Sequence, residues 1–376
     1  MEPSDSGGLS ALPEFEREQG LCVAITRFAG CTEHFLSAQA RGNESAADVF
    51  ARAAAYLARN GAEVVSQEVI GFSASERDAF DKAFPEAQWP VTWLTSGAET
   101  GPHLAGTQIW AASNAPVTPV TLDKALAGRC LETSEARYVR LGGVLPADTA
   151  ASRETQARNV FSQMNTVLDG LGLTFHDVAR TWFYNDQIVS WYEPFNQVRY
   201  DCFREWEVLG SASPASTGIG AANADACALT GGLLAVDRRV PDLPMRVVPS
   251  PLQCPAFDYG SAFSRAFEIE TPSHRRVLVS GTASIAPGGD TMHIGDTEKQ
   301  MARTFEVVGA ILASRGMAWN NVVRLLAYLK DARDYPVYDR FMREQGYEQV
   351  PALVVNCDIC RDDLLFEIEV DALARG

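Results

Sequence analysis

The chain has 376 residues, of which 46% are hydrophobic and 21% charged; such a length holds two or three domains of an ordinary soluble globular protein. Its formal net charge is −16, with no cluster of Lys and Arg, which argues against nucleic acid and anionic membrane as partners. Met1 to Gly20 lacks the basic patch and apolar run of a signal peptide, no later stretch has the roughly eighteen apolar residues of a membrane span, and eight scattered cysteines suit reduced thiols, so a cytoplasmic protein is expected.

Laid against itself, the chain repeats one frame three times. In the first copy Phe50 and Gly61 belong to a helix, followed by Val64-Val65, Val69-Ile70, Pro90-Val91 and a strand near Gln108-Ile109-Trp110-Ala111. Ala115 to Thr121, with two prolines, separates it from the second copy. There a helix from near Glu154 places Phe161, Met164, Val167, Leu168 and Leu171 on one face and ends at Gly172. Val178 opens a strand rich in aromatic and β-branched residues, and Pro214-Ala215 leads to a closing strand ending in Val236-Asp237.

Five prolines from Pro241 to Pro255 introduce the third copy. Its helix from near Glu298 carries Phe305, Val308, Ile311 and Leu312 and ends at Gly316; a strand from Val322, Pro351-Ala352 and a closing strand ending in Val370-Asp371 follow. Helix Phe and terminal Gly are eleven apart in all three copies, whereas the Gly-to-Pro gaps are 29, 42 and 35 residues. The frame therefore persists while its loops vary. Each copy reads as strands, helix, strand, helix and final strand, an α+β unit. The expected domains are residues 1–114 (a degenerate copy), 115–240 and 241–376, the last carrying the catalytic strand.

The closing strand of the third copy holds the chemistry. Over 364–370, alternation puts Leu364, Phe366, Ile368 and Val370 on one face and Leu365, Glu367 and Glu369, with Asp363, on the other. Two carboxylates two apart on one face each disfavour ionisation of the other, which suits one of them to general-acid work near neutral pH. A solvated acidic strand face is the alternative. Cys357-x-x-Cys360 has no second Cys pair or His-x₃₋₅-His to complete a zinc site, and does not open a helix as a redox pair does. A plain buried cysteine stays open. Gly218-x-Gly220-x-x-Asn223 follows a Pro-Ala turn without opening a long helix, so it is not a dinucleotide loop. The five histidines are isolated and read as solvated or capping, and Trp182, Trp191 and Trp206 as core.

Several strings resemble the reactive-intermediate deaminase family (RidA/YjgF), with its chorismate-mutase-like fold. They are Tyr259-Gly260-Ser261-Ala262-Phe263-Ser264-Arg265-Ala266, Val279-Ser280-Gly281, the Gln-Phe-Gly helix, Pro351-Ala352 and Glu367-Ile368-Glu369. Those proteins are trimers of one domain with ligand clefts between subunits. The resemblance implies three tandem repeats forming a pseudo-trimer within a monomeric chain. The deaminases place an arginine directly after Pro-Ala; here Thr92, Ser216 and Leu353 stand there, so an imine deaminase is not expected.

The chain is more similar to the chorismatases, through Pro214-Ala215-Ser216-Thr217-Gly218-Ile219-Gly220, Phe263-Ser264-Arg265-Ala266 and the string from Cys360 to Glu369. That resemblance implies an enzyme that removes the enolpyruvyl group of chorismate as pyruvate, without metal or organic cofactor. It also implies Glu367 as the acid that protonates the terminal methylene, and Cys360 as the mark of members making 3-hydroxybenzoate. Aligning Val370 on Val236 puts Leu233 opposite Glu367 and Ala235 opposite Glu369, so one working cleft is expected, between copies two and three. Chorismate carries two carboxylates, for which Arg265, Arg340 and Arg204 (in Tyr200-Asp201-Cys202-Phe203-Arg204) are the candidate anchors, with Arg361 in reserve. Ser216, Thr217 and Gly218 offer hydroxyl and backbone donors, Gly281 offers a backbone N–H, and Ala266 is expected beside the substrate ring, favouring the diene outcome. The loop Ala286–Asp290 and the run before Phe263 depart from the family pattern. 4-Hydroxybenzoate, the non-aromatic diene acid, and a catalytically silent small-molecule binder are the alternatives.

Overall fold

The recurring Phe and Gly have a common physical origin. Eleven residues make about three helical turns, so the Phe faces the same side as the helix end, and Gly61, Gly172 and Gly316 adopt φ of 54°, 72° and 67°, the left-handed conformation that ends a helix at least cost in Gly. A computed structural model describes residues 13–95, 102–210, 212–238 and 243–376. The expected boundary at 240/241, and the start of the Met1–Gly20 segment, lie outside the described residues.

The first unit comprises β1 (Glu14–Glu18), β2 (Leu21–Phe28), β3 (Cys31–Gln39), α1 (Ala46–Asn60), β4 (Glu63–Ile70), α2 (Arg77–Ala83), β5 (Val91–Thr95) and β6 (Gly106–Ser113). The second has β7 (Val117–Leu122), β8 (Ala125–Glu132), β9 (Ala136–Val144), α3 (Arg153–Gly170), β10 (Val178–Asn185), α4 (Tyr192–Glu205), β11 (Ala215–Gly220), the short β12 (Ala222–Asn223) and β13 (Leu229–Arg238). The third has β14 (Met245–Val248), β15 (Ala266–Glu270), β16 (His274–Ala283), α5 (Thr297–Ser314), β17 (Val322–Leu329), α6 (Tyr335–Glu344), β18 (Ala352–Asn356) and β19 (Phe366–Arg375). In each sheet the closing strand (β6, β13 or β19) lies in the middle, antiparallel to both neighbours, while β5, β11 and β18 run parallel to β4, β10 and β17. The chain is thus α+β, three tandem RidA-like units forming an intramolecular pseudo-trimer.

Long helices cover the outer faces of the sheets. In the third unit Phe305, Ile311, Phe366, Ile368 and Val370 pack there, as the alternation of the closing strand predicts. The inner faces meet in a shared core containing Phe35, Trp110, Tyr138, Trp182, Leu278 and Tyr328, drawn from all three units. Each interface buries a cross-unit Arg–Glu pair: Glu68–Arg140 (2.6 Å), Arg180–Glu369 (3.1 Å) and Arg276–Glu33 (2.7 Å). Backbone also crosses the interfaces. β12 pairs with β5 of the first unit, and Gly220 exchanges hydrogen bonds with Asp358 of the third (2.7 and 3.1 Å).

Strand register corrects one alignment. A β-bulge follows Val322, Val178 and Val64 alike, and the pairing beyond it aligns Tyr328 with Tyr184 and Ile70. Glu367 therefore matches Thr230 and Gly106, and Glu369 matches Gly232 and Gln108. The Val-Asp pairs that suggested Leu233 and Ala235 coincide by composition, three positions out of register. Only the third unit carries the acid under either alignment. The strand ladders also align Thr217, not Ser216, with Thr92 and Leu353.

Candidate active site

A narrow cleft of about 40 Å³ lies between the second and third units. The second unit contributes Tyr192 and Arg199 from α4 and Ser216 and Gly218 from β11. The third contributes Phe263, Arg265, Gly281, Cys360, Arg361 and Glu367. β19 delivers Glu367 to the inner face, where it is 5% exposed, and Glu369, which is fully buried. The solvated-face alternative therefore fails.

The two carboxyls titrate apart. Burial, then the neighbouring Glu369 charge, pushes Glu367 up to about 8 against the pull of Arg265. Glu369 is held down at about 2 although burial opposes its charge, because Arg324 and Arg180 stand against it. Its oxygens lie 2.6 Å from Arg324 Nη1 and 3.1 Å from Arg180 Nη2, and Trp182 Nε1 donates to it at 3.0 Å. At neutral pH the pair thus presents one carboxylate, Glu369, and, in the cleft, one carboxylic acid, Glu367.

Gly281 makes the room for that acid. A Cβ at this position would stand 2.1 Å from Glu367 Oε1 and 3.3 Å from Thr217 Cγ2. The Gly281 N–H donates to Thr217 Oγ1 at 3.1 Å, and Arg180 Nη2 donates to the same oxygen at 2.9 Å. This corrects two expectations. The Gly281 N–H is engaged within the protein, and Thr217 lies behind the cleft wall, where its hydroxyl supports Glu369.

Three guanidiniums line the cleft. Arg265 donates from Nε to Cys254 O at 3.0 Å, and its guanidinium lies 5.7 Å from the Phe263 ring. Arg361 donates to Gly289 O at 2.7 Å, within the loop whose sequence departs from the family pattern. Arg199 is 1% exposed, lies 5.2 Å from the Phe263 ring and donates to Ser216 Oγ at 3.3 Å. Sequence reasoning missed Arg199 and selected its neighbours, which the structure places elsewhere. Tyr200 and Arg204 sit on the outer face of α4, where Arg204 pairs with Asp201 at 2.9 Å. Arg340 is on the exposed face of α6, paired with Glu298 at 3.0 Å. Ala266 is fully buried in the outer core against the helices, away from the cleft. Helical phase held the missing signal: Phe195, Asn196, Arg199, Cys202 and Phe203 form the buried face of α4, so Arg199 points inward and Arg204 outward.

Cys360 lines the cleft as a thiol, with burial and the Glu367 charge pushing it up to about 12. Among the described residues no group of three or more His, Cys, Asp and Glu side chains could hold a metal ion, and no helix is long and apolar enough to cross a membrane. His34 and His274 are buried in the core rather than solvated, which holds them neutral, at about 4 and about 3.

Comparison with known proteins agrees with this fold. The family described as Endoribonuclease L-PSP matches residues 258–374. A RutC family protein of Pyrococcus abyssi is 33% identical over 97 residues, 26% of this chain and 76% of that protein. The chain belongs to the RutC family. Beyond the single unit, it is 26% identical over 268 residues to the 3-hydroxybenzoate synthase of Streptomyces hygroscopicus, covering 62% of this chain and 74% of that one. A solved chorismatase superposes with a TM-score of 0.65 at 20% identity, over 92% of this chain and 99% of that chain, which establishes the fold of all three units together.

Proposed function

We propose that the protein is a chorismatase, releasing pyruvate and 3-hydroxybenzoate from chorismate in the cleft between the second and third units. One observation carries the reading. A carboxyl that keeps its proton to about pH 8 stands in a cleft with three arginines, in a chain whose net charge is −16. The similarity to a 3-hydroxybenzoate synthase gives it a substrate class.

Glu367 donates its proton to the terminal methylene of the enolpyruvyl group, making an oxocarbenium ion next to the ether oxygen. Arg199, Arg265 and Arg361 meet the two substrate carboxylates through charge-assisted hydrogen bonds. If water adds to the cation, the ether breaks to pyruvate and a dihydroxy diene acid, and one water is consumed. The aromatic outcome consumes no net water: the ring hydroxyl adds to the cation in place of water, and its bond to the ring carbon breaks so that its oxygen leaves as the keto oxygen of pyruvate. The ether oxygen stays on the ring, and a ring proton returns to the Glu367 carboxylate. Cys360, at the ring side of Glu367 in this reading, favours that second course. The active form is expected to be a single chain, since both walls of the cleft belong to it.

The test is to mix the purified protein with chorismate and EDTA, following pyruvate with lactate dehydrogenase and separating the organic products by chromatography. Pyruvate with 3-hydroxybenzoate is the expected result. Pyruvate with the diene acid keeps the role of Glu367 and removes that of Cys360. No pyruvate rejects the reading.

A further inference from the structure

The thiol assigned to product choice does not stand alone. Cys360 belongs to the third unit, but Tyr192, the first residue of α4 in the second, lines the same cleft from the facing wall, where its hydroxyl counters part of the rise that burial imposes on the thiol. The tyrosine is fixed from two sides. Its ring stacks on Phe195, one turn along α4, at 6.4 Å, and on the other side a Cβ at Gly218 would stand 3.7 Å from Tyr192 Cε2. Gly218 thus presents bare backbone to the ring edge. The backbone of the Cys360 segment is held to the same unit, through the Gly220–Asp358 hydrogen bonds two residues earlier.

We infer that Tyr192 is a positioning residue that decides the product by fixing the Cys360 thiol in the cleft. This inference rests on the chorismatase reading. The Tyr192 hydroxyl donates to Cys360 Sγ, which leaves the S–H directed away from the tyrosine and holds the sulfur in one place beside the reacting ring. Both product channels start from the same Glu367 proton, so Tyr192 affects the partition between them and not the first step.

The corresponding residue at the next interface provides a control. Tyr335 opens α6 as Tyr192 opens α4, and Met342 follows it by the same seven positions as Arg199 follows Tyr192. Tyr335 packs on the core of the third unit and faces the first, whose register partner of the acid is Gly106. A tyrosine here is scaffold alone.

The experiment measures the ratio of aromatic to diene product in Tyr192→Phe, Cys360→Ala, the double variant and Tyr335→Phe. Tyr192→Phe is expected to move the ratio toward the diene by about fivefold, the worth of one hydrogen bond. The rate of pyruvate formation is read beside the ratio, so that a general loss of activity is told apart from a shift between products. The double variant should match Cys360→Ala, because the tyrosine acts through the thiol, and Tyr335→Phe should leave the ratio unchanged. An unmoved ratio in Tyr192→Phe overturns the inference, as does an equal shift in the Cys360→Ala background. A second readout needs no substrate. The infrared S–H band of Cys360, identified as the difference between wild type and Cys360→Ala, should move in Tyr192→Phe, and an unmoved band overturns the contact. A wild-type protein that makes pyruvate but no aromatic product overturns the product role while the acid reading stands. One that makes no pyruvate overturns both.

Discussion

Two interfaces of the pseudo-trimer share a latch and differ in everything reactive. Between the second and third units the Gly281 N–H donates to Thr217 Oγ1 at 3.1 Å; between the first and second the Gly143 N–H donates to Thr92 Oγ1 at 3.0 Å. The threonines occupy equivalent strand positions, and both interfaces bury a cross-unit Arg–Glu pair. Yet the first-to-second interface has Thr230 where Glu367 would stand, and Gly232 where Glu369 would stand. Arg140 fills part of the space there, 2.8 Å from where a Gly232 Cβ would lie. The latch and the ion pair are therefore scaffold. What separates the proposed active cleft from its counterpart is one carboxyl that burial keeps protonated to about pH 8, and arginines lining the space beside it.

The comparison breaks most decisively at the acid. Glu367→Gln should lower pyruvate formation by about 10²–10⁴-fold, the usual worth of a positioned general acid, with circular dichroism unchanged. Thr230→Ala, at the equivalent position, should leave the rate at wild type. Gly281→Ala should come next. Its methyl falls on Glu367 Oε1, and displacing a reacting group by about 1 Å costs about 10²-fold in kcat. Rates at saturating chorismate read this directly; an unaffected kcat would mean that the carboxyl does not work from its position over Gly281. Within α4, Arg199→Lys should raise KM by about tenfold, since a charge-assisted hydrogen bond is worth about 1.5–3 kcal/mol, while Arg204→Ala on the outer face should leave KM alone. Equal effects of the two would remove the distinction between the faces of that helix.

The smallest expected effect is on stability. Glu367 binds its proton more tightly folded than unfolded, having risen from 4.5 to about 8. Its contribution is full below the unfolded value and is lost as pH climbs from about 4.5 to about 8. Glu369, lowered to about 2, contributes in the opposite sense, losing its share as pH falls below about 4.5. Melting temperatures of wild type and Glu367→Gln should therefore diverge between pH 5 and 8, with the variant losing less as pH rises. Catalysis by the wild type should decline in turn as pH passes about 8.

Much of this was legible in the sequence because it repeats. Periodic apolar positions and a helix-ending Gly report local backbone requirements, so the three units and the acidic strand could be found without coordinates. The carboxyl pair could be read from alternation alone. Which member keeps its proton could not, since that depends on Arg180 and Arg324, 189 and 45 residues before Glu369 in the chain. Register failed for a similar reason: it is set by pairing with a distant strand, Val178 with Ala235 and Val322 with Ala372, and a Val-Asp match between two strands carries no information about that pairing. The arginines were misjudged because motif-like surroundings were weighed above helical phase. Arg199 lacks a conspicuous neighbour, but its spacing from Phe195 and Cys202 determines which way it faces.

The third interface shows what covalent linkage permits. There Leu353 occupies the position of Thr217, and its Cδ1 lies 2.4 Å from where a Gly106 Cβ would be. Gln39 binds both the N–H and the carbonyl of Val354 on the facing strand, at 2.8 and 3.1 Å. In a ring of identical subunits every substitution is written three times, so a leucine that plugs one cleft plugs them all. A tandem chain is free of that symmetry. One interface can take a leucine at the threonine position and a second a threonine at the acid position, while the third keeps the acid, each mutating without penalty to the others. The protein thus holds all three interfaces with buried ion pairs and keeps the acid at one of them.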